Sequence, residues 1–169
     1  MRRPRLFVNT ILGIVIGAGA CSQRSTGVTD PAGPAFNLAA GTPVLASCQA
    51  LPAAFSSATL GPQGGSIDIG PHRLTFAKGA LQGTVTITAE IVAGSVNAVR
   101  FGPEGLTFGD GARLTLSYGN CPGLTIKKLG LVYADDLLNP LEVLTSKADP
   151  KKRTVSADLH HFSIHAVAY

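Results

Sequence analysis

Three cysteines, Cys21, Cys48 and Cys121, and three close histidines, His160, His161 and His165, are the residues of this 169-residue chain best suited to chemistry. A thiol can be acylated, oxidised to a disulfide or bound to a metal, and an imidazole can move a proton or ligate an ion. On one continuous strand, His161, Ser163 and His165 share a face. Four residues at a rise of ~3.3 Å then hold His161 and His165 about 13 Å apart, too far to share an ion. His72 is distant in sequence. Asp110 falls in a Gly-rich turn and Asp135-Asp136 follows an apolar run, but no spaced carboxylate array of the calcium-loop kind is present. There is no G-x-S-x-G elbow, no H-E-x-x-H and no phosphate loop. The expectation is a non-enzyme with neither metal nor cofactor.

Cys21 gains its meaning from what precedes it. Residues 1–20 read MRRPRLFVNTILGIVIGAGA: a basic start at Arg2, Arg3 and Arg5, an apolar run from Leu6 to Ile16, then Gly17, Ala18, Gly19 and Ala20. That is the layout of a secretory signal peptide, and the apolar run falls short of the roughly 20 residues a spanning helix needs. Ala18-Gly19-Ala20-Cys21 resembles the bacterial lipobox, which implies cleavage before Cys21 and lipidation of its sulfur. Ser22 is not the aspartate that retains lipoproteins at the inner membrane, so an outer-membrane location in the cell envelope is expected. Export places Cys48 and Cys121 in an oxidising compartment, and with Cys21 acylated these two are expected to pair.

Charge follows the same cut. The full chain carries +4, but three of its fourteen bases lie in the signal, leaving eleven against ten acids, or +1. Lys127-Lys128 and Lys151-Lys152-Arg153 are short turn-like clusters, so nucleic acid is not an expected partner. The expected partners are a membrane, through the lipid anchor, and another envelope protein.

The elements that must position these residues are short strands. Hydrophobic residues make up 45% of the chain and charged ones 14%, too apolar for disorder. Residues 21–55 are rich in Ser, Thr, Gly, Ala and Pro without a sustained period, and read as a lipid-anchored tether. From residue 56 to 169 period-2 alternation takes over, as in Thr84–Ile91, Ala112–Tyr118 and Thr154–Leu159. Further strands are expected at Ser66–Ile69, Arg73–Phe76, Val96–Phe101, Leu129–Ala134, Leu141–Thr145 and Phe162–Ala168. About nine short strands parted by Gly and Pro turns predict an all-β, antiparallel β-sandwich. Its expected core is Ile67, Ile69, Leu74, Phe76, Val85, Ile87, Leu114, Leu116, Leu131, Val155, Leu159 and Phe162, with Phe162, Ile164 and Ala166 forming one buried face.

Three phrases of this region resemble the ZU-five domain. Gly64-Gly65-Ser66-Ile67 with Leu74–Leu81 is similar to its Gly-Gly strand and following turn, although Ala77 stands where the motif has proline. Phe101-Gly102-Pro103-Glu104-Gly105-Leu106-Thr107-Phe108, followed by Ala112–Tyr118, resembles its central segment. His161-Phe162-Ser163 resembles its closing strand. The resemblance covers residues 59–169 and implies a β-sandwich with a protein-interaction role. In some death-domain scaffold relatives this tripeptide cuts itself between phenylalanine and serine. Carried onto this chain, that makes Ser163 the nucleophile and His161 the general base of a self-cleaving module, the alternative to a non-catalytic binding or structural role.

Overall fold

Alternation of apolar and polar side chains buries one face of a strand and wets the other, and the computed structural model shows where those faces meet. It describes residues 42–124 and 129–169. Among the described residues there are eleven strands: β1 (Phe55–Leu60), β2 (Gly65–Ile69), β3 (His72–Phe76), β4 (Val85–Ile91), β5 (Ala98–Gly102), β6 (Thr107–Ser117), β7 (Gly130–Ala134), β8 (Pro140–Leu144), β9 (Ser146–Asp149), β10 (Thr154–His161) and β11 (Ile164–Ala168). They form two sheets, ordered β1-β4-β5-β11-β7-β8 and β2-β3-β6-β10-β9. Every strand pair is antiparallel. The all-β class expected from the sequence holds. The strand number does not: β1 and β9 were not expected, because FSSATL and SKAD are polar edge strands whose alternation is weak.

One core gathers side chains from both sheets, among them Ile67, Leu74 and Leu114 from the five-stranded sheet and Ile87, Phe101 and Leu131 from the six-stranded one. All of the expected core residues are buried except Val85, which is half-buried against it. Gly70 opens the β2–β3 hairpin with a φ of 54°, the left-handed geometry a two-residue hairpin loop demands at its first position. A side chain there would also meet Ile91 Cδ1 at 2.8 Å.

The last two strands do not continue one another. β10 belongs to the five-stranded sheet and β11 to the six-stranded one, so the chain changes sheet across Phe162-Ser163. A register irregularity between Leu159 and His161 precedes the crossing. Phe162 consequently faces the shared core, while Ile164 and Ala166 belong to a second apolar cluster with Ala98 and Val132 on the other face of their sheet. The single buried face expected for Phe162, Ile164 and Ala166 is thus corrected.

Residues 44–49, which the sequence assigned to the tether, are fixed to the sheet. Val44 and Tyr169 exchange backbone hydrogen bonds, both 3.0 Å, and Ala46 and Cys48 donate to Val167 and Ser95. Leu45 bridges Ala168, so this segment lies alongside β11 beyond Ala98, the last β5 residue paired there.

Candidate functional site

Two places bring chemistry-bearing residues together. The first is the clamp on the incoming chain. Cys48 and Cys121 are joined by a disulfide across 73 residues of sequence. Beside it, Asn97 Nδ2 donates to Asn120 Oδ1 at 2.6 Å and Asn120 Nδ2 returns a bond to Asn97 Oδ1 at 2.9 Å. Asn97 Nδ2 also donates to the Ser117 carbonyl, and Asn120 Nδ2 to the Gln49 carbonyl. The Gln49 N–H closes the circuit on the Asn120 carbonyl at 2.9 Å. Neither asparagine stood out in the sequence, because an amide signals nothing until its distant partner is known. Cys21 and residues 1–20 lie outside the described residues.

The second place is the crossing at Phe162-Ser163. The segment Phe101–Phe108 wraps it: the Phe162 N–H donates to the Leu106 carbonyl at 2.9 Å, and the Gly105 N–H donates to the Phe162 carbonyl at 3.3 Å. The Phe101 N–H donates to the Ser163 carbonyl at 3.1 Å. Phe162 stacks on Phe101 at 5.5 Å and meets Phe108 edge-on at 5.1 Å. Gly105 adopts a φ of 73°, which lets the loop turn its N–H toward that carbonyl.

Ser163 is 6% exposed, and with Ile164 it lines a cleft of about 200 Å³. Phe55, Thr88, Glu90, Arg100, Gly102 and Glu104 supply the rest of the wall. His161 is not joined to Ser163 by a hydrogen bond among the described residues. Its ring meets Tyr133 edge-on at 5.1 Å and lies 6.3 Å from that of His165. The separation of about 13 Å assumed for a continuous strand is therefore corrected: the sheet change folds the two histidines toward each other. Among the described residues no three His, Cys, Asp or Glu side chains converge as metal ligands.

The other candidates have local partners. His165 is buried with its Nδ1 unpartnered, and burial, with His161 adding to it, pushes its pKa down to about 4. His72 is likewise pushed to about 4 by burial; its Nδ1 accepts from the Ser117 N–H at 3.1 Å while Nε2 has no partner. Asp135 Oδ1 accepts from the N–H groups of Leu137 and Asn139 at 2.9 and 2.8 Å, and the bonds from Asn139 hold its pKa below the usual range. Asp136 pairs with Arg100. Arg153 donates to the carbonyls of Tyr118 and Cys121, whereas Lys127-Lys128 and the Asp110 side chain lie outside the described residues.

These features define an all-β domain of two antiparallel sheets with a disulfide-clamped amino end. No family model matches the chain, and no curated protein is significantly similar to it.

Proposed function

We propose that the chain is a lipoprotein of the bacterial cell envelope, anchored at Cys21, whose ZU-five-like β-sandwich is a non-catalytic binding or structural module. The Cys48–Cys121 disulfide carries this reading, because such bonds persist in exported proteins and are rare in the cytosol. Its position adds to the argument. Pull transmitted through an anchor enters the domain at Val44, alongside Tyr169, and meets the disulfide four residues later. Between Cys21 and Thr42 lie 20 residues, enough to reach about 70 Å when extended. An outer-membrane location and a protein partner in the envelope complete the proposal; nucleic acid has no place in it.

Intact mass of the membrane-extracted protein, before and after reduction, tests it. The expected species lacks residues 1–20, carries acyl mass on Cys21, and gains two hydrogens on reduction. Cys21→Ser should release the protein from the membrane fraction; a variant that stays there refutes the anchor.

One observation favours the alternative self-cleaving module: the Gly105 N–H already points at the Phe162 carbonyl, where an oxyanion would form. In that reaction Ser163 Oγ bonds to the Phe162 carbonyl carbon and the Phe162–Ser163 amide bond breaks. The hydroxyl proton passes by way of His161 to the leaving amine, and water hydrolyses the ester. The His161 ring, set against Tyr133 without a bond to Ser163, speaks for the non-catalytic reading.

A further inference from the structure

The end of the domain where the chain enters is basic. Ser117 at the close of β6 pairs with Thr154, the first residue of β10. Asn97 Nδ2 donates to the Ser117 carbonyl, and the Asn97 carbonyl accepts from the Val167 N–H near the close of β11. The start of β10 and the finish of β11 therefore lie at one end, together with Val44 and Tyr169. Lys147 on β9 and Lys151, Lys152 and Arg153 in the β9–β10 turn are all exposed there. Arg153 Nη2 donates to the Cys121 carbonyl at 3.0 Å, which fastens this turn to the disulfide loop. Asp149 is the acid of the same turn, and its ion pair is a long one, 4.0 Å to Lys152. Among the described residues Lys147 and Lys151 form no ion pair, whereas Arg73, Arg100 and Arg113 are matched by Asp68, Asp136 and Asp158. The crossing end has the opposite balance, with Glu104, Asp135 and Asp136 set against Lys78 and the paired Arg100. A second observation falls at the entry point itself. Val44 and Tyr169, which hold each other by backbone hydrogen bonds, are 54% and 51% exposed.

We propose that this end docks on an anionic phospholipid surface. Lys147, Lys151 and Lys152 meet the lipid phosphates, while Val44 and Tyr169 enter the headgroup layer, where an aromatic ring with a polar tip is favoured. A base near such a surface strengthens binding about fivefold, so the three lysines supply on the order of a hundredfold. That is weak for a free protein and sufficient for a tethered one. The 20 residues between Cys21 and Thr42 keep an anchored domain within about 70 Å of the bilayer, which makes docking an intramolecular step at high effective concentration. The contact thus rests on the lipoprotein reading, and it turns the crossing end away from the membrane.

The mature chain carrying Cys21→Ser has no lipid of its own, so its sedimentation with vesicles at low ionic strength reads this contact alone. The probes are vesicles of phosphatidylglycerol, vesicles of phosphatidylcholine, and free inorganic phosphate. Sedimentation with phosphatidylglycerol is expected, falling as salt is raised. The neutral vesicles should carry down far less protein, and millimolar phosphate should not displace it from the anionic ones. Lys147→Gln with Lys151→Gln and Lys152→Gln should weaken binding at least about tenfold. Arg153 stays in place because it holds the disulfide loop, and an unchanged urea midpoint shows that the triple variant is folded. Tyr169→Ser should weaken binding by a smaller factor, and Lys78→Gln at the crossing end should leave it as it was. No sedimentation with phosphatidylglycerol, equal sedimentation with phosphatidylcholine, or displacement by phosphate would each overturn the assignment. So would a triple variant that binds like the wild type, or a Lys78→Gln variant that loses as much. None of these outcomes touches the lipid anchor, which the mass measurement decides separately.

Discussion

Asn97 and Asn120 bind each other through both halves of their amides, 2.6 Å one way and 2.9 Å the other, directly beside the disulfide. Asn97 is fully buried. Truncating it strands the Ser117 carbonyl and both amide groups of Asn120 that faced it. Asn97→Ala should therefore destabilise the domain by about 2–3 kcal/mol, more than an exposed polar deletion. Urea denaturation of the two proteins, compared at equal slope, checks this.

The disulfide closes a long loop, its cysteines standing 73 positions apart in sequence. Chain entropy alone assigns it roughly 4 kcal/mol. Reduction, or Cys48→Ala with Cys121→Ala, should lower stability by up to about that amount. Hydrogen exchange should rise first at Ala46, Cys48 and Gln49, whose N–H groups hold the incoming segment to the sheet. Unchanged protection of these amides after reduction would show that hydrogen bonds alone hold the clamp.

His72 and His165 make stability depend on pH. Both are neutral in the folded protein down to about pH 4, whereas the unfolded chain protonates them near 6.5. Because the unfolded state binds protons first, stability falls as pH drops from about 6.5 to about 4, then levels off. Each histidine contributes at most about 3 kcal/mol to that fall. His72→Asn and His165→Asn should each flatten the stability curve in this window; a curve equally steep in both variants would place the dependence elsewhere.

Much of this fold is legible in alternation. The nine expected strands match observed ones, most of them by turning one face to the shared core, whereas β7 and β11 are buried on both faces and β8 leaves Leu141 and Val143 exposed. β1 and β9 escape notice because Ser, Ala and Lys on short edge strands leave no period to read. The sheet change at Phe162-Ser163 is invisible for a different reason. A run such as FSIHAVA alternates equally well whether Phe162 belongs to its strand or to the opposite sheet, and only the partners Leu106, Gly105 and Phe101 decide which. The Cys48–Cys121 pairing could be reasoned from compartment and number. The Asn97–Asn120 pair and the cleft over Gly102 required tertiary structure, since their residues are unremarkable singly.

The crossing itself yields the last prediction. Phe162 is 1% exposed and touches Phe76, Phe101 and Phe108, so Phe162→Ala should cost about 3–5 kcal/mol, the penalty of emptying an aromatic site in a packed core. Ser163→Ala removes a hydroxyl that bonds no described residue, and should change stability by less than about 0.5 kcal/mol. The asymmetry separates the two readings of His161-Phe162-Ser163. If the tripeptide only packs, denaturing mass spectrometry finds one chain ending at Tyr169 in both the wild type and Ser163→Ala. If it cuts, the wild type sheds the peptide Ser163–Tyr169 under denaturing conditions, and both Ser163→Ala and His161→Ala abolish that peptide. The single-chain outcome is expected, because self-cleavage asks His161 to serve Ser163 as a base, and the His161 ring instead packs against Tyr133 and His165.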